Sequence, residues 1–294
     1  MSTADVTGPS PATPSRTVPG QQSPAQVASW RARLERRFAS TRVWLELVRN
    51  LAVRDVETRY KHSLLGLYWA LINPLLMAAI YSFVFGTILH TGSSAGQPYV
   101  VFLLTGLTFW NLFANGMMSA ATSVTGSAAL LAKLYFPRVV LPTASVLARL
   151  IDFLFSLSIL AVFIAAYRIP IHWTLFWLVP VLLIELTFAL GMAYLVAALN
   201  VLYRDMTQII GLVLMIWVWV SPVMIAVNGH AAWIEAVFLL NPVGGIIQAE
   251  RDLLFTGHLT SGPSLWSAAA WALFIFFAGL TAFKRVEPLF AEVM

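Results

Sequence analysis

The sequence predicts an all-α integral membrane protein with six transmembrane helices, and three observations predict it. Of the 294 residues, 59% are hydrophobic and only 11% carry charge, whereas a soluble domain is roughly 45–50% apolar and about 25% charged. Six apolar stretches recur, at about 64–89, 99–123, 139–166, 173–199, 207–227 and 264–283; a helical span needs roughly 20 such residues. The basic residues gather in alternate loops, as they do in multi-pass proteins. Together with a mean hydropathy of +0.79, these features exclude an ordinary soluble enzyme, a disordered chain and a nucleic-acid binder. With no cysteine, the chain has no disulfide, thiolate metal site or Cys nucleophile.

Residues 1–26 are rich in Ser, Thr, Pro, Gly and Gln. They cannot bury enough apolar surface to order themselves, so a disordered tail is expected. They contain no apolar h-region and are not a signal peptide. Residues 27–62 turn basic and amphipathic. Trp30, Leu34, Leu45, Val48 and Ala52 share one helical stripe, and Arg31, Arg36, Arg42 and Arg49 lie off it. That pattern predicts a helix lying in the membrane interface. The six-span domain then occupies 63–294. Gly92 to Pro98 breaks the first span from the second, Lys133 to Pro142 the second from the third, and Tyr203-Arg204-Asp205 the fourth from the fifth. Residues 229–263 hold two apolar pieces, about 231–240 and 243–255. Both are too short to span, which suggests an external re-entrant hairpin.

With the N-terminus inside, fifteen of the eighteen basic residues fall on the cytoplasmic side, Arg168 and Arg251 fall in external loops and Arg149 lies within a span. The positive-inside rule therefore places both termini in the cytoplasm. The net charge of +5 is a topological signal and not a nucleic-acid patch. The expected location is a plasma membrane, crossed several times and in contact with its lipids.

No phosphate-cradling GxxxxGK[ST] loop occurs, since none of Lys61, Lys133 and Lys284 follows a glycine. The chain should not hydrolyse ATP by itself, and it is not expected to be an enzyme. No catalytic residue and no metal site is expected from five scattered histidines. Three ionisable residues sit within spans: Arg149, Asp152 and Glu185. Each costs roughly 2.5–3.5 kcal/mol to place in a membrane even on a lenient scale. Arg149 and Asp152 are three apart and can pair on one helix face, while Glu185 either joins them across helices or stays protonated.

Aromatic side chains suggest a pathway. Trp69, Asn73 and Met77 share a face of the first span, with Tyr68 at its entry and Tyr81 and Phe85 beside it. Trp217, Ser221 and Met224 share a face of the fifth, and Trp219 points away from it. Asn73-Pro74 and Ser221-Pro222 add kinks. Flat rings can stack on sugars without demanding charge, but an ordinary interfacial aromatic belt gives the same pattern.

The run Arg59-Tyr-Lys-His-Ser-Leu-Leu-Gly66-Leu-Tyr68-Trp69-Ala-Leu-Ile-Asn73-Pro74-Leu resembles the opening of ABC-exporter membrane subunits. The branch is the one that moves O-antigen, capsular polysaccharide and teichoic acid. Asn200-Val-Leu-Tyr203-Arg204-Asp205 is similar to that family's cytoplasmic signature, and Asn241-Pro242 matches in kind. The resemblance runs from about residue 45 to the C-terminus. It implies a homodimer with two copies of a separate ABC ATPase, which carries the ATP and Mg; no cofactor is implied for this chain. It also implies a channel built mainly from spans one and five, and a coupling helix in the loop Gly126–Arg138. There Lys133, Tyr135, Phe136 and Arg138 would dock on the ATPase.

The function implied is export of an undecaprenyl-diphosphate-linked polymer, such as O-antigen, galactan or teichoic acid, across a bacterial plasma membrane. Arg54, Arg59 and Lys61 lie at the cytoplasmic entrance, where a diphosphate needs charge-assisted donors. Asn200, Arg204 and Asp205 would hold the cytoplasmic end of span four. The alternative cargo is a hydrophobic drug or lipid. A prenyl-phosphate transferase or a proton-coupled transporter using Asp152 and Glu185 fits less well.

Overall fold

The computed structural model describes residues 41–61, 68–88, 98–133, 136–203, 205–225 and 240–290, together with 233, 236 and 237. The tail over 1–26, the first part of the interface helix, Tyr135, Arg204 and most of the hairpin piece 231–240 lie outside them.

Every regular element among the described residues is helical. The chain enters as α1 (Thr41–Tyr60), then α2 (Trp69–Tyr81), which continues in a wider π-helical turn over Ser82–Ile88. α3 (Tyr99–Ser123), the short α4 (Ala128–Lys133) and α5 (Val140–Ala166) follow. α6 (Leu178–Leu202) is entered through a 3-10 turn at Trp173–Trp177. α7 (Met206–Val220), α8 (Pro242–Arg251) and α9 (Gly262–Val286) complete the order. Among the described residues four helices are long and apolar enough to cross a membrane: Tyr99–Ser123, Val140–Ala166, Trp173–Leu202 and Gly262–Leu289. Two shorter apolar helices, Trp69–Phe85 and Met206–Val220, occupy the first and fifth apolar stretches.

α3 is the hub, packed against α2, α5, α6, α7 and α8. A helix surrounded in this way needs apolar or small side chains all round, and Val101 to Trp110 are all buried. α6 and α9 approach closely through paired glycines. A Cβ built on Gly279 would stand 2.1 Å from the carbonyl oxygen of Gly191, so both positions must lack a side chain. α1 lies across α5, burying Val48 and Leu51 in a second apolar cluster with Val140, Tyr194 and Phe283.

Prolines and caps set the breaks. Pro74 sits inside α2 and deprives the carbonyl of Ala70 of its helical donor. Ser221, just before Pro222, is extended (φ −101°, ψ 147°), which ends α7. Asn241 starts α8 by accepting the Val243 N–H at 3.1 Å, with Pro242 at the first helical position. After α8 a π-helical turn (Asp252–Thr256) leads to Gly257 at φ +70°. The Asp252 carboxylate then accepts the N–H groups of Thr260 and Ser261, each at 2.8 Å, at the start of α9.

Candidate functional site

A cavity of about 360 Å³ lies where α1, α2, α3 and α5 meet. A second cavity of about 540 Å³ adjoins it, and Arg59 and Arg149 line both. Each wall follows from local sequence. α1 ends on Arg59 and Tyr60, which reach toward α5. Arg149 and Asp152 stand one turn apart on α5 and so share a face. α3 presents Thr108, Asn111 and Asn115 to the first cavity and Ser119 and Thr122 to the second. Their spacing of three and four residues keeps all five on one side of the helix. α2 closes the first cavity with Trp69 and Asn73.

Asp152 is the electrostatic centre. Its carboxylate accepts from Arg59 Nη1 at 2.6 Å, from Arg149 Nη1 at 3.2 Å and from the Tyr60 hydroxyl. Arg149 is steadied by Ser119, whose Oγ accepts from Nε at 2.7 Å and also from Nη2. The Tyr60 phenol is pushed up to about 12, first by burial and then by its bond to Asp152, so it remains a donor at neutral pH. The donors outnumber the acceptors. Arg59 Nε and Nη2 and the Thr108 hydroxyl are buried without hydrogen-bond partners among the described residues. A cavity walled by guanidinium, hydroxyl and amide groups can hold an oxyanion.

This arrangement merges groups that sequence reading had assigned to separate roles: Arg59 to the entrance, Trp69 and Asn73 to the channel, Arg149 and Asp152 to structural pairing. Arg54 lines the second cavity and donates to Ser127 Oγ at 3.4 Å. Lys61, just past the end of α1, is exposed and lines neither cavity. The contributions of Tyr60, Thr108, Asn111, Asn115 and Ser119 were missed. The polar stripe 108–111–115–119–122 within an apolar span was the signal that could have found them.

The remaining expected residues divide. Tyr68, Trp69, Asn73 and Met77 are exposed along α2. Tyr81 and Phe85 instead begin a chain of rings with Tyr99 and Phe102, at centroid separations of 6.4, 6.2 and 6.1 Å. On α7 the placement differs from an open pathway face. Trp217 packs edge-on against Phe113 at 5.3 Å and donates its Nε1–H to Asn241 Oδ1 at 3.0 Å. Ser221 and Met224 are buried, and Ser221 Oγ accepts from Asn241 Nδ2 at 2.8 Å. Trp217 and Ser221 therefore turn inward, because Asn241 needs partners for both ends of its amide. The outward face of α7 carries Leu212, Met215, Ile216 and Trp219.

The loop after α3 also differs from the expectation of a docking surface. Phe136 is buried among Val140, Phe283 and Phe290, where an aromatic ring gains most from leaving water. Arg138 is turned to the end of α9. Its N–H donates to Glu287 Oε1 at 3.1 Å and its Nη1 to the Glu287 carbonyl at 2.6 Å. Tyr135 lies outside the described residues, and α4 ends at Lys133. Asn200 is buried and joins two elements, donating to Thr125 Oγ1 at 3.4 Å and accepting from Thr207 Oγ1 at 2.8 Å. Asp205 precedes α7 without a side-chain cap bond.

Glu185 does not join the Arg149–Asp152 group. It is buried on α6 and close enough to Glu250 of α8 for their charges to interact. Beside them Arg251, taken from sequence as a loop cation, is buried. Its guanidinium lies 3.5 Å from the Phe102 ring centroid and donates to the carbonyls of Pro222, Phe102 at 3.0 Å and Val223 at 2.7 Å. Gly106 makes the room, since a Cβ there would meet Arg251 Nη2 at 2.5 Å. The charged run 250–252 thus fastens α8 to α3 and to the start of α9.

Residues 46–255 match the family of ABC-2 type transporters. The chain belongs to that family. Among related ABC-2 proteins, the O-antigen export system permease protein RfbA of Myxococcus xanthus is 29% identical over 249 residues, spanning 84% of this chain and 94% of that protein. RfbA of Klebsiella pneumoniae is 28% identical over 242 residues, 82% of this chain and 92% of that protein. The polysialic acid transport protein KpsM of Escherichia coli is 25% identical over 247 residues, covering 82% and 93% respectively. The ABC-2 match begins within α1 and ends within the π-helical turn after α8. It therefore takes in both cavities and the Arg251 fastening.

Proposed function

We propose that the chain is the membrane permease of an ATP-driven exporter that carries a polysaccharide on undecaprenyl diphosphate across a bacterial plasma membrane. The cargo is of the O-antigen, galactan or teichoic-acid type. The observation that carries this reading is the cationic polar cavity where α1 meets α2, in a chain similar along most of its length to polysaccharide-export permeases. Diphosphate recognition requires several charge-assisted donors at one point, and a pathway for neutral sugar requires aromatic and amide surface next to it.

In this reading the six apolar helices all span, both termini are cytoplasmic, α1 lies in the interface and the region 229–263 is an external re-entrant hairpin. Two copies assemble with two copies of a separate ATPase, which binds ATP and Mg; the permease itself needs no cofactor and performs no chemistry. ATP-driven closure of the ATPases pushes on α1 and on the loop around α4. Because α1 is tied to α5 through Arg59, Tyr60 and Asp152, that push moves the cavity wall. The polymer passes the exposed rings and amides of α2 (Tyr68, Trp69, Asn73), while its lipid diphosphate is met by Arg54, Arg59 and Arg149.

Co-purification of the tagged full-length chain from its native membrane tests the reading. An ABC ATPase subunit should accompany it, and mass spectrometry of bound lipid should find a prenyl-diphosphate-linked glycan. Isolation with an ATPase but with only a hydrophobic drug or unglycosylated lipid bound would favour the efflux alternative.

A further inference from the structure

α5 ends in a fold-back. Arg168 takes a left-handed conformation (φ 54°), and the Ile169 N–H donates back to the Ile164 carbonyl at 3.0 Å. A helix end of this kind tucks an apolar side chain under its last turn, and Ile169 is buried there. From the other side the turn after α8 closes in, since a Cβ on Gly257 would stand 2.5 Å from the His172 ring. Between these pieces lies a cavity of about 290 Å³. Leu160 and Ile164 of α5, Leu178 of α6 and Leu253 and Leu254 of the π-helical turn wall it, and His172 is the one polar residue among the described lining. Its mouth is built of short side chains. Ala161 and Ala165, one turn apart, are exposed and line the cavity, as does Ile171 at 75% exposure. The two alanines continue the exposed stripe of Leu154 and Ser158 along α5, a helix long and apolar enough to cross a membrane. The opening is therefore sideways, onto lipid, and begins roughly 8 Å from the end of the helix. Trp173 and Trp177 are exposed beside it, as aromatic residues are at the headgroup level. Arg168 is exposed three residues past Ala165.

Native interiors hold few voids larger than a water molecule. An apolar cavity of roughly 150 Å³ already stays dry and takes up benzene; this one is larger and opens onto hydrocarbon. We infer that it seats one acyl chain of an outer-leaflet phospholipid, with the lipid phosphate at Arg168 and the chain resting on Leu253 and Leu254. Those two leucines belong to the turn that joins α8 to α9. An occupied seat thus ties the outer end of α5 to the hairpin region through the lipid itself. The choice of leaflet rests on the orientation proposed above, whereas the seat is independent of the cargo.

The full-length chain is reconstituted in liposomes containing phosphatidylglycerol that carries a diazirine near the end of one acyl chain. After irradiation the adducts are located by peptide mass spectrometry. A seated chain labels the buried Leu253 and Leu254 more than Leu154 and Val162, which are exposed on α5. Lipid that merely coats the surface gives the reverse order, and that result overturns the seat. Ala165→Phe should fill the mouth and lose most of the adduct at Leu254. Val162→Phe, on the same helix but outside the lining, should leave it in place. Ala161→Phe carries the test if Ala165→Phe does not fold, and a Leu254 adduct that survives the filled mouth overturns the proposal. Arg168→Gln should weaken the adduct, and an unchanged one overturns the placement of the phosphate. Displacement by geranylgeranyl diphosphate, where added phosphatidylglycerol has no effect, would make the occupant a prenyl chain. Because the native chain has no cysteine, a disulfide between two Ala165→Cys chains would put a second copy over the mouth. Either result overturns the phospholipid, and neither alters which glycan or ATPase accompanies the chain, so the proposed function stands or falls separately.

Discussion

Replacing Gly279 with Ala should loosen the α6–α9 pair. The added Cβ would stand 2.1 Å from Gly191 O, 3.0 Å from its carbonyl carbon and 3.3 Å from its Cα. Ordinary contact begins at 3.4 Å, so the helices must part locally by about 1.3 Å. Both obstacles are backbone, and no rotamer change can relieve them. Overpacking costs about 1–3 kcal/mol, and the upper end applies where backbone must move. Against this, Ala gains about 1 kcal/mol over Gly as a helix former. The net expectation is a loss of about 2 kcal/mol. Reversible unfolding of the purified chain in mixed micelles, titrated with a denaturing detergent, measures it. Gly211→Ala on α7 is the control: nothing lies within 4 Å of its Cβ, so helix propensity alone should act and stability should rise. A Gly279→Ala chain as stable as its parent would refute the close approach of α6 and α9.

Three further outcomes follow from the site. In a double-mutant cycle, Arg59→Gln and Asp152→Asn should couple by about 1–2 kcal/mol in unfolding experiments. Their side chains are 21% and 22% exposed, which places the pair between surface bridges at roughly 0.2–1 kcal/mol and buried ones at about 3–5. Additive effects would mean that α1 is not tied to α5 there. Trp217→Phe should cost about 1 kcal/mol through loss of the bond to Asn241, whereas Trp219→Leu on the exposed face should stay within about 0.5 kcal/mol. Equal effects would contradict the inward placement of Trp217. Tyr60, read as the ultraviolet titration of wild type minus Tyr60→Phe, should ionise at about 12 and not at 10.0. Because its folded value is raised, its contribution to stability is complete below pH 10 and fades as pH climbs through about 12; a midpoint near 10 would remove the bond to Asp152.

The helices were legible because bilayer thickness fixes span length and hydropathy reports it: the stretches at 99–123 and 139–166 became Tyr99–Ser123 and Val140–Ala166. Prolines marked breaks but not their kind: Ser221-Pro222, read as a kink inside a stretch reaching 227, ends α7 at Val220. What sequence spacing could not give was which face of a wholly apolar helix turns inward. α7 offered Trp217 and Trp219 as equivalent rings on opposite faces, and only the distant Asn241 decides between them. Arg251 misled for the same reason. A cation between hydrophobic pieces reads as a loop, and its acceptors, the carbonyls of Phe102, Pro222 and Val223, lie at least 28 positions away. Phe136 read as docking surface because composition does not reveal that α9 returns beside it. Of the site, Asn73, Arg149 and Asp152 each stood out as a polar group in apolar surroundings, and Arg59 as a cation at the entrance. Their convergence depends on α1 folding back across α5, which no local pattern encodes.

Transport by the reconstituted assembly tests the account most directly. Proteoliposomes holding this chain and its ATPase subunit are loaded on the nucleotide-accessible face with a prenyl-diphosphate-linked polysaccharide, and the polymer reaching the other face is read with an impermeant lectin. The account predicts ATP-dependent transfer that falls sharply in Arg59→Lys while ATP hydrolysis continues. Vesicles that hydrolyse ATP and move a hydrophobic drug or free lipid, yet leave the polymer where it was loaded, would contradict it.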